Sequence, residues 1–408
     1  MIIQRTEYLN KLISWKDEKV IKVITGIRRC GKSTLLEQYR DLLLKDCIQP
    51  KQIQFMNFED MELEPYLEPS ALHKYILERM LPDKMNYIFL DEIQKVADYQ
   101  KVVDSLYIRD NVDIYITGSN AYLLSGELAT LLSGRYVEIN MLPLSFAEYC
   151  EAREDNDKDI LFAEYMKRGG FPYAAMIKDD DRLDMYFEGI YNTIILKDIE
   201  ERQKRRESDP NKRKITDILL LKNISRFLAG SVGSPIAIKN IAAYITSSGR
   251  KVSENTVGDY TEALVEPYVF YPVERFDVMG KQLLKTMPKY YIVDLGIRRH
   301  LLPRKNYDLG FSLENIVFFE LIRRGYKVNI GKVGNTEVDF VAQKNERYHY
   351  YQVTASLTDE NTFEREIRPL KNISDNYRKT ILTLDRFTLG DYEGIDVVNA
   401  VDWLLDRE

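Results

Sequence analysis

From Ile21 to Leu36 the chain reads IKVITGIRRCGKSTLL. The apolar run Ile21, Val23, Ile24 predicts a buried strand, and Leu35 and Leu36 stand where a helix begins. Between them, Gly26 to Ser33 follows the pattern G-x-x-x-x-G-K-[ST] in the strand–loop–helix context that a phosphate-binding loop requires. Gly26 and Gly31 let the backbone curl so that the N–H groups of Arg29, Cys30, Gly31, Lys32, Ser33 and Thr34 can converge on phosphate oxygens. The helix that follows turns its positive end toward the same anion. Lys32 is expected to reach the β- and γ-phosphates, and the Ser33 hydroxyl to ligate magnesium. The expected ligands are therefore ATP or ADP with Mg2+.

Working outward, the 408 residues suffice for several cores, and 45% hydrophobic with 30% charged residues is an ordinary globular composition. A net charge of −6 argues against bulk electrostatic binding of nucleic acid, though not against a local basic site. Three cysteines, Cys30, Cys47 and Cys150, lack metal-ligand spacing and suit a reducing compartment. No signal-peptide pattern opens the chain and no apolar run approaches a membrane span, so the expectation is a cytoplasmic protein with no membrane partner.

Two strands complete the expected site. Tyr87-Ile88-Phe89-Leu90-Asp91-Glu92 is an apolar strand ending in two acids, at the sheet edge where ligands sit in open α/β folds. Asp91 is expected in the magnesium shell and Glu92 as the base that orients and deprotonates water, with Gln94 a weaker contact. Asp113 to Asn120 is a further strand. Ser119 or Asn120 at its end either senses the γ-phosphate or caps the next helix. Arg135, in LLSGRY, is either an arginine finger, in cis or in a neighbouring subunit, or the partner of a carboxylate. Arg5 and Tyr8, on a helix before the first strand, either touch adenine or simply pack.

In order, GIRRCGKST, NFED, LDEIQKV, ITGSNAYLL, LLSGRY, LPLSFAEY and RGGFPYA resemble the prokaryotic AAA-type ATPases whose C-terminal half is catalogued as a domain of unknown function. The resemblance runs over nearly the whole chain. It implies that the Asp113–Asn120 strand lies between the two motif strands. It also makes Pro172, in Gly170-Phe171-Pro172, the element that reports nucleotide state to a helical lid. From the residues alone, GGFP is a turn.

The expected architecture is α/β. Residues 1–150 form a P-loop NTPase core with a parallel sheet, 151–212 a helical lid and charged linker, 213–305 a winged-helix domain, and 306–408 a restriction-endonuclease-like α/β domain. The linker, 200–214, carries seven basic and four acidic side chains and reads as a solvated linker or mobile loop, with a nucleic-acid contact as the alternative. The helix from Ser253 has Glu254, Asp259 and Glu262 but no Lys or Arg, which favours a protein partner over DNA. Arg250 and Lys251 stand just before it, and Asn255 and Thr256 on it could read bases. In the last domain Glu314 and Glu337-x-Asp339 resemble PD-(D/E)XK nucleases, but Gln352-Val353-Thr354 replaces the E-x-K that would hold metal and activate water. That departure predicts a binding platform rather than a nuclease. Homo-oligomerisation remains open.

Overall fold

The computed structural model describes residues 3–118, 134–153, 157–194, 215–302 and 309–406. Ser119, Asn120 and the linker 200–214 lie outside the described residues. The chain divides into two compact units, 1–143 with 266–268, and 144–265 with 269–408.

The first unit is built on five parallel strands: β1 (Ile21–Thr25), β2 (Ile53–Asn57), β3 (Asn86–Asp91), β4 (Val112–Thr117) and β5 (Tyr136–Asn140). Their order is β2-β3-β4-β1-β5. β4 therefore lies between the two motif strands, as the resemblance implied. Side chains alternate across the sheet with period two. Ile21 and Val23, Ile88 and Leu90, Ile114 and Ile116 face one side. There they share a core with Leu72 and Ile76 of α3 (Pro69–Arg79), and Val102, Val103 and Leu106 of α4 (Tyr99–Tyr107). Burying each such side chain contributes about 2 kcal/mol.

The opposite face carries Lys22, Phe89, Asp91, Asp113, Tyr115 and Thr117, and packs under α2 (Lys32–Lys45) through Tyr39. The same alternation sorts its polar residues by position. Asp91 and Thr117 come at the carboxyl ends of their strands, beside the start of α2. Nearer the amino ends, Lys22 donates to Asp113 at 2.6 Å in a fully buried pair, and the Tyr115 hydroxyl donates to the same carboxylate at 2.7 Å.

The second unit holds one mixed sheet of eight strands. Before it come α5 (Phe146–Glu151), α6 (Lys158–Arg168), α7 (Pro172–Met176) and α8 (Asp180–Thr193). Three helices follow, α9 (Ile218–Gly230), α10 (Ile238–Ser247) and α11 (Glu254–Val265), and then the antiparallel pair β6 (Phe270–Asp277) and β7 (Gln282–Ile292). That pair does not stand alone: β6 also pairs in parallel with β8 (Lys327–Val333). The sheet continues through β9 (Thr336–Lys344), β10 (Arg347–Thr354) and β11 (Arg378–Thr383) to β13 (Ile395–Asn399) and β12 (Gly390–Tyr392). The sequence boundary at 305/306 thus falls between strands of a single sheet.

α12 (Leu295–Leu301), α13 (Leu309–Arg323), α14 (Glu360–Lys371) and α15 (Ala400–Leu405) complete the unit. α13 is buried nearly all round, from Ser312 to Leu321, as a helix enclosed by other elements must be. Among the described residues no helix is long and apolar enough to cross a membrane.

Candidate active site

β1 ends at Thr25 and the loop Gly26–Gly31 leads directly into α2. Gly26 has φ +140°, and a Cβ there would lie 2.1 Å from the Met141 carbonyl oxygen, so only glycine fits. Gly31 (φ +105°) precedes the first residue of the helix. Arg29, a non-glycine residue, is held at φ +69°. Such conformations cost on the order of 1 kcal/mol each and persist where the surroundings impose them.

Lys32 is buried, and its ammonium donates to the carbonyls of Gly26 (3.0 Å) and Ile27 (3.3 Å). The head group is therefore tucked inside the curl of the loop. The amide of Cys30 closes a turn on the Ile27 carbonyl at 3.3 Å, so in this conformation it serves the loop itself instead of pointing at a ligand. The Cys30 thiol is fully buried, and burial pushes its pKa up.

Below the loop the geometry settles the two readings of the first helix, α1 (Thr6–Ser14). The Arg5 guanidinium donates to the Cys30 carbonyl at 3.0 Å and the Leu142 carbonyl at 2.7 Å. The Tyr8 hydroxyl accepts from the Leu142 amide at 3.0 Å. Both side chains are buried and engaged with backbone, so they brace the loop and present no adenine surface.

The acids converge as β3 and β4 dictate. Asp91 is fully buried, and Oδ1 accepts from the Thr117 hydroxyl. Oδ2 has no hydrogen-bond partner among the described residues. Burial raises the pKa of this carboxyl; the Thr117 hydrogen bond, the nearby Ser33 hydroxyl and the charge of Lys32 oppose the rise. Thr117 Oγ1 in turn accepts from the Glu92 amide at 2.9 Å. The sequence pointed to Ser119 and Asn120 rather than to Thr117, whose place on the strand makes it look like one more β-former.

Glu92 leaves β3 at φ +55°, a left-handed turn that swings its carboxylate out of the strand's alternation. Gln94 Nε2 donates to Glu92 Oε2, which orients the carboxylate. Arg28 reaches Glu59, at the end of the NFED stretch, at 3.4 Å.

Arg135 is not part of this constellation. Its carbonyl accepts from the Ile21 amide, so it lies beside the amino end of β1, while the loop leaves the carboxyl end. Five residues of strand separate the ends, roughly 16 Å. Its guanidinium donates to Asp104 at 2.5 Å and lies over the Tyr107 ring. The finger reading in cis is corrected: Arg135 pairs with a carboxylate.

In the second unit Pro172 is the first residue of α7, after a turn in which Gly169 has φ +75°. The Gly170 amide donates to Asp294 Oδ2 at 2.6 Å, and the same carboxylate caps α12 through the amides of Gly296 and Ile297. Burial drives the Asp294 pKa up to about 6 despite these donors. Arg250, expected beside a groove-reading helix, is engaged with Asp217.

The nuclease-like acids also come together, with an addition that the sequence concealed. Lys289 of β7 brings a buried ammonium to Glu337 Oε1 (2.8 Å), Glu314 Oε1 (3.1 Å) and Asp339 Oδ1 (3.9 Å). Burial alone would lower its pKa, but Glu314, Asp339 and Glu337 outweigh it and raise it. Tyr291 donates to Glu314 at 2.6 Å, and the Val353 amide to Asp339 at 2.8 Å. Gln352 is turned to Glu366 at 2.7 Å and is therefore spoken for.

Residues 18–150 match the family model described as an AAA domain, and 159–308 match a domain of unknown function (DUF8612). An uncharacterized protein of Haemophilus influenzae is 41% identical over 99% of both chains. The chain belongs to the same family as that protein. An uncharacterized protein of Methanocaldococcus jannaschii is 30% identical over 94% of this chain and 88% of its own. The first unit thus carries an AAA-type P-loop ATPase domain. Among solved structures, a Walker-type ATPase of Pyrococcus abyssi aligns with a TM-score of 0.49 at 16% identity, over 74% of this chain and 96% of its own. AMPPCP-bound DnaA of Aquifex aeolicus aligns at 0.30 and 12%, over 63% and 86%.

Proposed function

We propose that this AAA-type protein is a magnesium-dependent ATPase whose hydrolysis cycle drives a conformational switch in the cytoplasm. The observation that supports it best is the pairing of Asp91 with Glu92. One acid is buried with an unpartnered oxygen; its neighbour is forced into a left-handed turn and held by Gln94. The donor set fits magnesium: Ser33 and Asp91 are hard oxygen ligands, and the orphaned Oδ2 is an acceptor in need of a cation. When bound, the ion would neutralise charge on the phosphates.

The chain's own residues do the rest. Gly26 and Gly31 shape the cradle. Lys32 exchanges its two carbonyl partners for phosphate oxygens. Glu92 orients the attacking water and takes its proton, steadied by Gln94, while Thr117 sets the register of the two acids. The test is Glu92→Gln, which should retain ATP while losing turnover; unchanged turnover would sink this assignment.

The second unit we read as a binding platform rather than a nuclease. Lys289 places an ammonium among the carboxylates that would otherwise gather a metal ion. Metal-dependent DNA cutting that disappears in Asp339→Ala would overturn that reading. We place the partner contacts of α11, protein before DNA, and any self-association, in the same coupling role.

A further inference from the structure

At the other end of β9 and β10 from Asp339 and Gln352, the sheet carries a basic and aromatic pocket that belongs to none of the sequence motifs. Along β10, Arg347, His349 and Tyr351 alternate onto one face. Lys344 of β9 stands opposite Arg347 in register, and Arg378 of β11 stands opposite His349. His349 stacks on Tyr351 with centroids 3.9 Å apart and shares a 2.9 Å hydrogen bond with Thr380 of β11, which shows that these rows face the same way. Tyr326, just before β8, lies with its ring 5.5 Å from the Lys344 ammonium. Tyr326, Lys344, Arg347, His349 and Arg378, with Asn345 and Tyr348, line an open pocket of about 490 Å³, and Tyr351 backs the His349 ring.

Charge makes this more than a solvated edge. Like charges directly opposite on neighbouring strands destabilise a sheet, and Lys344 with Arg347 is such a pair. Little on the protein offsets it. Among the described residues Lys344 donates only to the Arg324 carbonyl, at 2.7 Å, and Arg378 meets Asp396 at 3.1 Å. Arg347 has no ion-pair partner among the described residues, nor does the exposed turn residue Glu346. Of the three cations, only Arg378 has a carboxylate partner among the described residues, in a chain whose net charge is −6.

The walls are flat as well as basic. His349 uses both ring nitrogens in hydrogen bonds, and burial, helped by Arg378, holds its pKa down to about 4, so the ring is neutral. Guanidinium forks suit phosphate oxygens, and aromatic rings suit a base.

We propose that this pocket binds a nucleotide unit of single-stranded nucleic acid, with its phosphate on Arg347 and Arg378 and its base against the aromatic wall. The site is independent of the phosphate loop. The five residues from Arg347 to Gln352 put it roughly 16 Å along the strand from the Lys289 cluster.

The test uses the full-length protein and fluorescence anisotropy of a labelled, 5′-phosphorylated single-stranded oligonucleotide, titrated at several salt concentrations. Arg347→Ala with Arg378→Ala should weaken binding roughly tenfold or more, and should reduce the salt slope by about 0.7 for each phosphate that the protein no longer neutralises. ATP turnover should not change, and the unfolding midpoint should not fall, since relief of the Lys344–Arg347 repulsion offsets loss of the exposed Arg378–Asp396 pair. Arg347→Lys keeps the charge and should keep the salt slope while losing part of the affinity. Displacement by AMP would assign the pocket to a strand end or free mononucleotide; AMP without effect would assign it to an internal nucleotide. Absence of oligonucleotide binding, or binding with the same affinity and salt slope in the double variant, overturns the proposal.

Discussion

Asp91 in the first unit and Asp339 in the second are both acids on β-strands, both lose hydration, and both are pushed toward the neutral form by burial. They are satisfied in different ways. Around Asp339 the protein supplies its own cation, since Lys289 is buried among three carboxylates and Val353 adds an amide. Around Asp91 it stops short: Thr117 satisfies one oxygen, and the other accepts no hydrogen bond among the described residues. A buried charge left uncompensated is expensive, so the second arrangement belongs where something arrives from outside. A cluster complete in itself is built to hold still.

The largest effects should come from the incomplete site. Lys32→Ala should abolish ATP binding by equilibrium dialysis, and Glu92→Gln should keep binding while lowering steady-state turnover by about 10²–10⁴, the usual contribution of a general base. If both variants lost only binding, Asp91 and Glu92 would be structural acids and the contrast with Asp339 would collapse.

Next comes the complete site. Lys289→Met strands three carboxylates and should cost about 3–5 kcal/mol in denaturant unfolding. Added Mg2+ or Mn2+ should then raise the unfolding midpoint more in the variant than in the parent. An equal response in both would mean that Lys289 is not the resident counter-charge.

Asp294 gives a third way to hold an acid, by backbone N–H groups alone, and its titration measures how well that works. Its native pKa of about 6 lies above that of an unfolded aspartate. The native state therefore binds the proton more tightly, and its contribution to stability is fully present at low pH and lost as pH rises from about 4 through about 6. The loss is up to about 3 kcal/mol. The difference in stability between parent and Asp294→Asn across that window should show this slope; a flat difference would put Asp294 among ordinary caps.

The smallest effect is expected at Arg135. Its pair with Asp104 is partly exposed and worth under about 1 kcal/mol, so Arg135→Ala should leave both stability and per-subunit ATP binding nearly intact. Lost turnover, restored by mixing with Lys32→Ala subunits that retain Arg135, would place it in a neighbour's site.

Much of the first unit could be read from the chain because its signals are local. The glycines, Lys32 and Ser33 lie within eight residues, and a strand that ends in Asp-Glu announces its own edge. What could not be read was long-range. Lys289 looked like one residue of a wing strand, because nothing near it in sequence says that Glu314 and Glu337 will surround it. Thr117 was hidden inside an apolar run whose polar end drew attention two residues further on. Arg5 offered a cation near a nucleotide site, and only the fold shows it spent on the Cys30 and Leu142 carbonyls. The row of Lys344, Arg347 and Arg378 comes from three strands, so no window of sequence contains it.

The pairing of β6 with β8 has a mechanical meaning. The three helices α9 to α11 are followed by a strand pair that is hydrogen-bonded into the same sheet as the chain's last strands. A tug on that strand pair is borne in shear by the parallel β6–β8 ladder of Arg275–Asp277 with Ile330–Lys332. Under the proposed ATPase cycle, the helices and the sheet would then be coupled through that ladder.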